Sequence, residues 1–271
     1  MEETKNSSSG SSYDAYTPKE MAVRVEKIGV VKANLKIIPT FVLAVLAGAF
    51  IAFGAAFFTV VITDSGLGYG PARMLGGVAF STGLILVIIG GAELFTGNNL
   101  IVMAWADRKV THTQLLRNWS IVYLGNFIGS IGTALLVGLS GLFFLDDGAV
   151  GRTAIGIADA KLSLSLSEAF FRGILCNTLV CLAVWLCFSA RTVVGKVTAI
   201  IFPISAFVAL GFEHSVANMY LFPAAYFAGS ENVTISGMLG NLIPVTIGNI
   251  IGGSGFVALV YWIVYLRKPQ V

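Results

Sequence analysis

The chain has 271 residues, of which 56% are hydrophobic and only 11% charged, with a formal net charge of +3. A soluble domain carries about 25% charged residues, so this sequence cannot cover itself for water and reads as an all-α integral membrane protein. The small net charge offers no basic footprint for a nucleic-acid partner, and none is expected.

The first segment, 1–36, reads as a cytoplasmic N-terminal tail or helix. It is polar over its first 20 residues, includes the Ser/Gly run from Ser7 to Ser12, and then mixes Met21, Val23 and Val25 with charges. The rest, 37–268, reads as one transmembrane channel domain. A span needs about 20 apolar residues, and six segments qualify: roughly 37–62, 74–105, 119–144, 167–190, 197–228 and 238–266. The second and fifth are too long for plain spans. Polar connections at 106–118, 145–166 and 191–196 alternate with short ones near 63–73 and 229–237. Lys and Arg then set the orientation. With the N-terminus in the cytoplasm, thirteen lie inside and four outside, the four being Arg73, Arg152, Lys161 and Arg172. Both termini of this multi-pass protein are therefore expected in the cytoplasm.

Two patterns recur. Gly91-Ala92-Glu93-Leu94-Phe95-Thr96-Gly97-Asn98 returns as Gly211-Phe212-Glu213-His214-Ser215-Val216-Ala217-Asn218, both Gly-x-Glu-x-x-x-x-Asn. Asn118, Asn126 and Gly129 return as Asn241, Asn249 and Gly252. The chain is thus duplicated, with repeat one over about 37–144 and repeat two over about 167–266. Three spans per repeat is an odd number, so the copies enter the membrane from opposite sides. The expected fold is six transmembrane helices as inverted 3+3 repeats. Helices 2 and 5 are broken at the Gly-x-Glu motifs, which face each other near the midplane.

A break frees backbone N–H groups at the start of one half-helix, and such ends favour anions. Thr96 adds a hydroxyl at the first break. His214 adds the one group in the apolar spans that ordinarily titrates near neutral pH. A bare carboxylate would repel an anion, so Glu93 and Glu213 are expected to cap the freed N–H groups of their own breaks, with a proton relay as the second reading. Asn98 and Asn218 sit where they can tie each loop to backbone. Asn118, Asn126, Asn241 and Asn249 are expected to bind helices together. Glu168 and Arg172, at i and i+4, read as a local ion pair. His112 lies in a polar loop and reads as solvated. Cys176, Cys181 and Cys187 share one apolar span and read as inert packing. No metal, no cofactor and no enzymatic chemistry is expected.

At these residues the sequence resembles the formate/nitrite transporter family. The likeness is carried by Glu93-Leu94-Phe95-Thr96, Asn118-Trp119, Gly125-Asn126, Cys176-Asn177 with Val180-Cys181-Leu182-Ala183, Gly211 to Met219, and Asn241 to Asn249. It runs over about residues 15 to 268. The resemblance implies an aquaporin-like protomer in a homopentamer, placed in the plasma membrane of a prokaryote. Each protomer would have its own pore for a small monovalent weak-acid anion: formate, nitrite or hydrosulfide. It further implies an outer hydrophobic constriction at Phe80, Leu84 and Phe207 and an inner one at Leu94, Phe95 and Val180. Thr96 and His214 would face the substrate between them, with Asn177 and Asn218 in a network around the histidine. Lys161 would draw anions into the outer vestibule, and the N-terminal segment would close the pore from inside. Departures at Gly97-Asn98-Asn99 leave the particular anion open.

A charged anion should stall between two apolar constrictions, because desolvation is costly there. Either His214 donates a proton and the neutral acid crosses, or it donates a hydrogen bond and the anion crosses. Two competing classes carry less. An aquaporin-type neutral-solute channel should show Asn-Pro-Ala at both breaks, and neither break contains proline. An intramembrane serine protease is hinted at by Gly252-Gly253-Ser254-Gly255 with His214 as base, yet Gly125, Gly129 and Gly132 repeat the pattern in the first half, as helix contacts do.

Overall fold

The computed structural model describes residues 15–267, which are helical with connecting turns and contain no strand. The Ser7–Ser12 run and Lys268 lie outside the described residues. Helix α1 (Pro18–Asn34) opens on a complete capping box between Thr17 and Glu20, with Pro18 at its first position. Each of these satisfies or removes an orphan donor of the first turn. The expected tail is therefore a 17-residue helix from Pro18 onward.

Among the described residues five helices are long and apolar enough to cross a membrane: α2 (Ile37–Ile62), α3 (Tyr69–Gly90), α5 (His112–Leu139), α7 (Leu166–Ser189) and the continuous stretch Ile235–Tyr265. The last comprises α10 (Ile235–Ile250), a π-helical segment (Ile251–Leu259) and α11 (Val260–Tyr265). The sixth crossing is made of two shorter helices, α8 (Val193–Ala209) and α9 (Ser215–Phe227). The second long segment is likewise split. After α3 the chain passes through a loop, a short 3-10 segment (Gly97–Ile101) and α4 (Val102–Ala106). The third crossing starts at His112 rather than near 119, because a capping box between Thr111 and Gln114 starts α5 inside polar sequence. In the connection expected at 145–166 stands a further helix, α6 (Ala149–Leu162), whose small residues Ala149, Ala154 and Ala158 are buried.

The two halves correspond element by element: α1 with α6, α2 with α7, α3 with α8, α5 with α10. In each half two helices cross at glycine. A Cβ on Gly129 would stand 2.0 Å from Val45 O, and one on Gly252 2.1 Å from Ile174 O. Only a glycine admits backbone that close. Tyr123 Oη and Thr246 Oγ1 meet at 3.0 Å. They hold equivalent positions in the two repeats, so the contact marks the pseudo-two-fold axis. Below, "inner" denotes the membrane side rich in Lys and Arg.

Candidate functional site

Both breaks are built by the same sequence of contacts. Helix α3 ends at Gly91 in the left-handed region (φ +80), and α8 ends just before Gly211 (φ +69). The left-handed turn lets Ala92 N reach Val87 O at 2.9 Å and Phe212 N reach Phe207 O at 3.0 Å, which satisfies a terminal carbonyl in each case. Each loop then hangs on the helix behind it. Glu93 N donates to Leu43 O and Glu213 N to Arg172 O, both at 3.2 Å.

The freed N–H groups are not capped by the glutamates. Phe95 N donates to Asn126 Oδ1 and Ser215 N to Asn249 Oδ1, both at 2.9 Å. The amide nitrogens of those asparagines donate onward to carbonyls: Asn126 to Ala44 and Glu93, Asn249 to Gly173 and Glu213. A carboxylamide donates and accepts at once, so one side chain serves loop N–H and loop C=O together, which a carboxylate cannot do.

Glu93 and Glu213 instead sit in charge-paired rings. Lys32 Nζ donates to Glu93 Oε1 and Lys161 Nζ to Glu213 Oε1, each at 2.8 Å. The opposite carboxylate oxygen accepts from Asn98 or Asn218, each at 2.7 Å. Those asparagines donate also to Asn118 Oδ1 and Asn241 Oδ1, and Asn118 and Asn241 return to the carbonyls of Lys32 and Lys161. Lys161, expected as a steering charge, thus spends its ammonium on a buried glutamate, with its side chain only 15% exposed. Asn98 and Asn218 tie side chains rather than backbone. Glu168 and Arg172 do form an ion pair, at 3.9 Å.

The two breaks meet at Thr96 and His214, whose Oγ1 and Nε2 are 2.9 Å apart. His214 is the N-cap of α9, its Nδ1 accepting from Ala217 N at 3.0 Å. With Nδ1 an acceptor, the ring proton of neutral imidazole lies on Nε2 and points at Thr96. Asn177 supports this pair from behind, its Nδ2 donating to Asn99 Oδ1, Asn249 O and Thr96 O at 2.7, 2.7 and 3.3 Å. Cys181 Sγ donates to the same Thr96 carbonyl at 3.3 Å.

Apolar groups flank the pair unevenly. On the outer side the Phe207 ring stacks on the imidazole, centroids 6.0 Å apart, and Phe80 meets Phe207 edge-on at 5.5 Å. On the inner side a cavity of about 270 Å³ reaches up to Leu84, Leu94 and Gly97. Leu84, expected with Phe80 and Phe207, lines this inner cavity, since it stands one turn further inward along α3. Phe95 does not line the cavity: its ring packs edge-on against Trp119 and Tyr123 of α5. Val180 is buried on α7, one turn above the cavity-lining Val184.

Lys32, Asn126, Asn249 and Asn99 were not marked as site residues from the sequence, although the asparagine pair was marked as helix glue. The signal for Lys32 was present but displaced. It lies 61 positions before Glu93, whereas Lys161 lies 52 before Glu213, so a search at one fixed offset misses the match.

Inverted repeats, two broken helices meeting in mid-membrane and a polar pair there define a polytopic membrane transport protein. The family model described as formate/nitrite transporter matches residues 19–263. Formate channel FocA of Escherichia coli strain K12 is 41% identical over 275 residues, covering 94% of this chain and 96% of that protein. The uncharacterized transporter YrhG of Bacillus subtilis strain 168 is 44% identical over 256 residues, covering 93% and 95%. A solved pentameric formate channel with formate bound is similar with TM-score 0.80 and 42% identity, over 85% of this chain and 98% of that one. An FNT family ion channel is similar with TM-score 0.79 and 32% identity, over 91% and 98%. The chain belongs to the formate/nitrite transporter family.

Proposed function

We propose that this protein is a homopentameric membrane pore for small monovalent weak-acid anions, with formate ahead of nitrite and hydrosulfide, and that it catalyses no covalent chemistry. Formate takes first place because relatives from several bacteria that match nearly the whole chain are formate channels by name. Both termini lie on the cytoplasmic side in this reading, as the Lys and Arg distribution favours. We take the channel unit to include α1, since its Lys32 completes the first break as Lys161 of α6 completes the second.

The observation that carries the reading is the Thr96–His214 contact at the junction of the breaks. An anion entering from either side meets two converging donors. It accepts Nε2–H in place of Thr96 Oγ1, and the threonine hydroxyl, released from that role, donates as well. Charge-assisted bonds of this kind are roughly twice as strong as neutral ones, which offsets part of the desolvation cost of passing Phe80, Phe207 and Leu94. The same geometry favours hydrogen-bond donation over proton donation. Imidazolium would carry a hydrogen on Nδ1, and Ala217 N–H would lose its acceptor.

Flux into liposomes holding the purified protein tests this. Formate, nitrite and hydrosulfide are compared with chloride and glycerol, for wild type and His214→Phe. The expected outcome is selective passage of one weak-acid anion, abolished by His214→Phe. Glycerol flux without anion flux overturns the reading.

A further inference from the structure

The inner cavity is lined by three charged side chains, Lys32, Glu93 and Lys196, among apolar groups from α1, α3 and α7. Lys32 is committed: its ammonium bonds Glu93 Oε1 at 2.8 Å and Asn98 Oδ1 at 2.9 Å. Glu93 is thereby neutralised. Lys196 is different. Among the described residues its side chain takes part in no ion pair and no hydrogen bond, and its backbone alone is used, N–H donating to Thr192 O and the carbonyl accepting from Cys187 Sγ. Among the described residues the cavity is thus left with one uncompensated positive charge at half-buried depth.

No contact within α8 uses that charge, which shares with twelve other Lys and Arg only the inner-side bias that orients the chain. Lys196 stands in the first turn of the helix, four residues after its N-cap Thr192, where the helix dipole disfavours a cation. The equivalent position in the first repeat is Gly76, where an added Cβ would come within 2.7 Å of Phe58 and Ile62 side chains. The duplicated framework therefore works without any side chain there. A cation that local stability does not call for, set in the wall of a concave site and unpaired, is placed for a mobile partner of opposite charge.

We propose that Lys196 is the recruiting site of the inner cavity, binding a small monovalent carboxylate or similar anion at the mouth of the path to Thr96 and His214. The proposal rests on the anion-pore reading above and adds to it a residue and a direction. Lys196 raises the local anion concentration on the inner side alone and makes no contact with the Thr96–His214 pair. It acts by long-range attraction focused in a low-dielectric recess, so its effect should fade as salt shortens the Debye length from about 30 Å to about 3 Å.

The test uses proteoliposomes with the protein in one orientation. For Lys196→Gln, formate leaving from the Lys196 side at low ionic strength should slow by roughly threefold to tenfold. Entry from the opposite side should be unchanged at equal gradients kept far from equilibrium, and the difference should vanish at high salt. Lys196→Arg should restore wild-type rates. Equal slowing from both sides, or slowing that persists in high salt, means a structural role and overturns the proposal. If wild type passes no anion at all, the pore reading fails, and a second measurement decides the site on its own. Ile28 lines the same cavity and is 40% exposed. A cysteine placed there (Ile28→Cys) is labelled by anionic and by cationic methanethiosulfonates. A positive recess predicts that Lys196→Gln lowers the anionic-to-cationic rate ratio by about threefold or more. An unchanged ratio sinks it.

Discussion

The two breaks share geometry to within 0.1 Å in their lysine–glutamate and glutamate–asparagine contacts, yet they differ in what holds their cation. Lys161 is 15% exposed on α6, and Lys32 is 27% exposed on α1. Lys32 Nζ also reaches Asn98 Oδ1, while Asn218 Oδ1 is buried with no partner. The same ring is thus closed more fully at the first break but shielded better at the second. Shared contacts define what a break needs to exist, and the differences show where each half can be disturbed.

The largest test of that comparison removes the cation. Lys161→Met leaves Glu213 charged and enclosed, a loss of about 3–5 kcal/mol for a broken buried pair. Lys32→Met should cost visibly less, because water reaches its site. Thermal unfolding in detergent reads both, and equal losses would erase the distinction. Next comes the shared part. Asn126→Leu and Asn249→Leu each strand one loop N–H and two carbonyls, at about 1–3 kcal/mol per stranded group, and here the two halves should respond alike. Thr96→Val takes away one of two donors at the junction. Formate flux should fall by about fivefold, in line with roughly 1 kcal/mol for a single hydrogen bond, and the unfolding midpoint should drop less than in the asparagine variants, since one ring N–H alone is stranded.

The smallest effect concerns the clamp that brings Lys32 to its place. Glu26 of α1 is buried and paired with Lys109, which also bonds Asp107 of the loop after α4. Burial pushes the Glu26 carboxyl above its usual range, and Asp107 beside it pushes the same way. A raised carboxyl takes up a proton when α1 docks. Docking is therefore tightest below the ordinary glutamate value of 4.5 and loosens as pH rises through the raised one. The protection of α1 amides, taken relative to intrinsic exchange at each pH, should fall over that window in wild type and stay flat in Glu26→Gln, while that of α6 amides, whose Lys161 has no such clamp, stays flat in both.

Much of this was legible in the chain. The Gly-x-Glu and Asn-x7-Asn patterns placed both breaks, and an odd count of spans made the repeats antiparallel. The flanking helices were harder. Helix α6 is short and rich in Ala and Gly, so it lacks the apolar length that marks a span. Helix α1 has charges around most of its face. Glu93 and Glu213 were given the capping role because an acceptor near a helix start ordinarily takes it. The asparagines won because a buried loop offers carbonyls as well as N–H groups, and an amide satisfies both. Phe95 was placed on the pore by resemblance, and its ring turned out to pack against Trp119 and Tyr123.

The contact of Tyr123 with Thr246 on the pseudo-two-fold axis carries a last consequence. Two identical chains meeting on such an axis would have to present the same residue to itself, since an isologous interface is self-complementary. One continuous chain is free of that rule. It can place a phenol against a hydroxyl of another size, and it can place an imidazole at His214 where the other half has Leu94. Identical halves would offer the traversing ion two histidines or none; linking them in tandem permits a single one, and with it a pore whose two faces are chemically distinct.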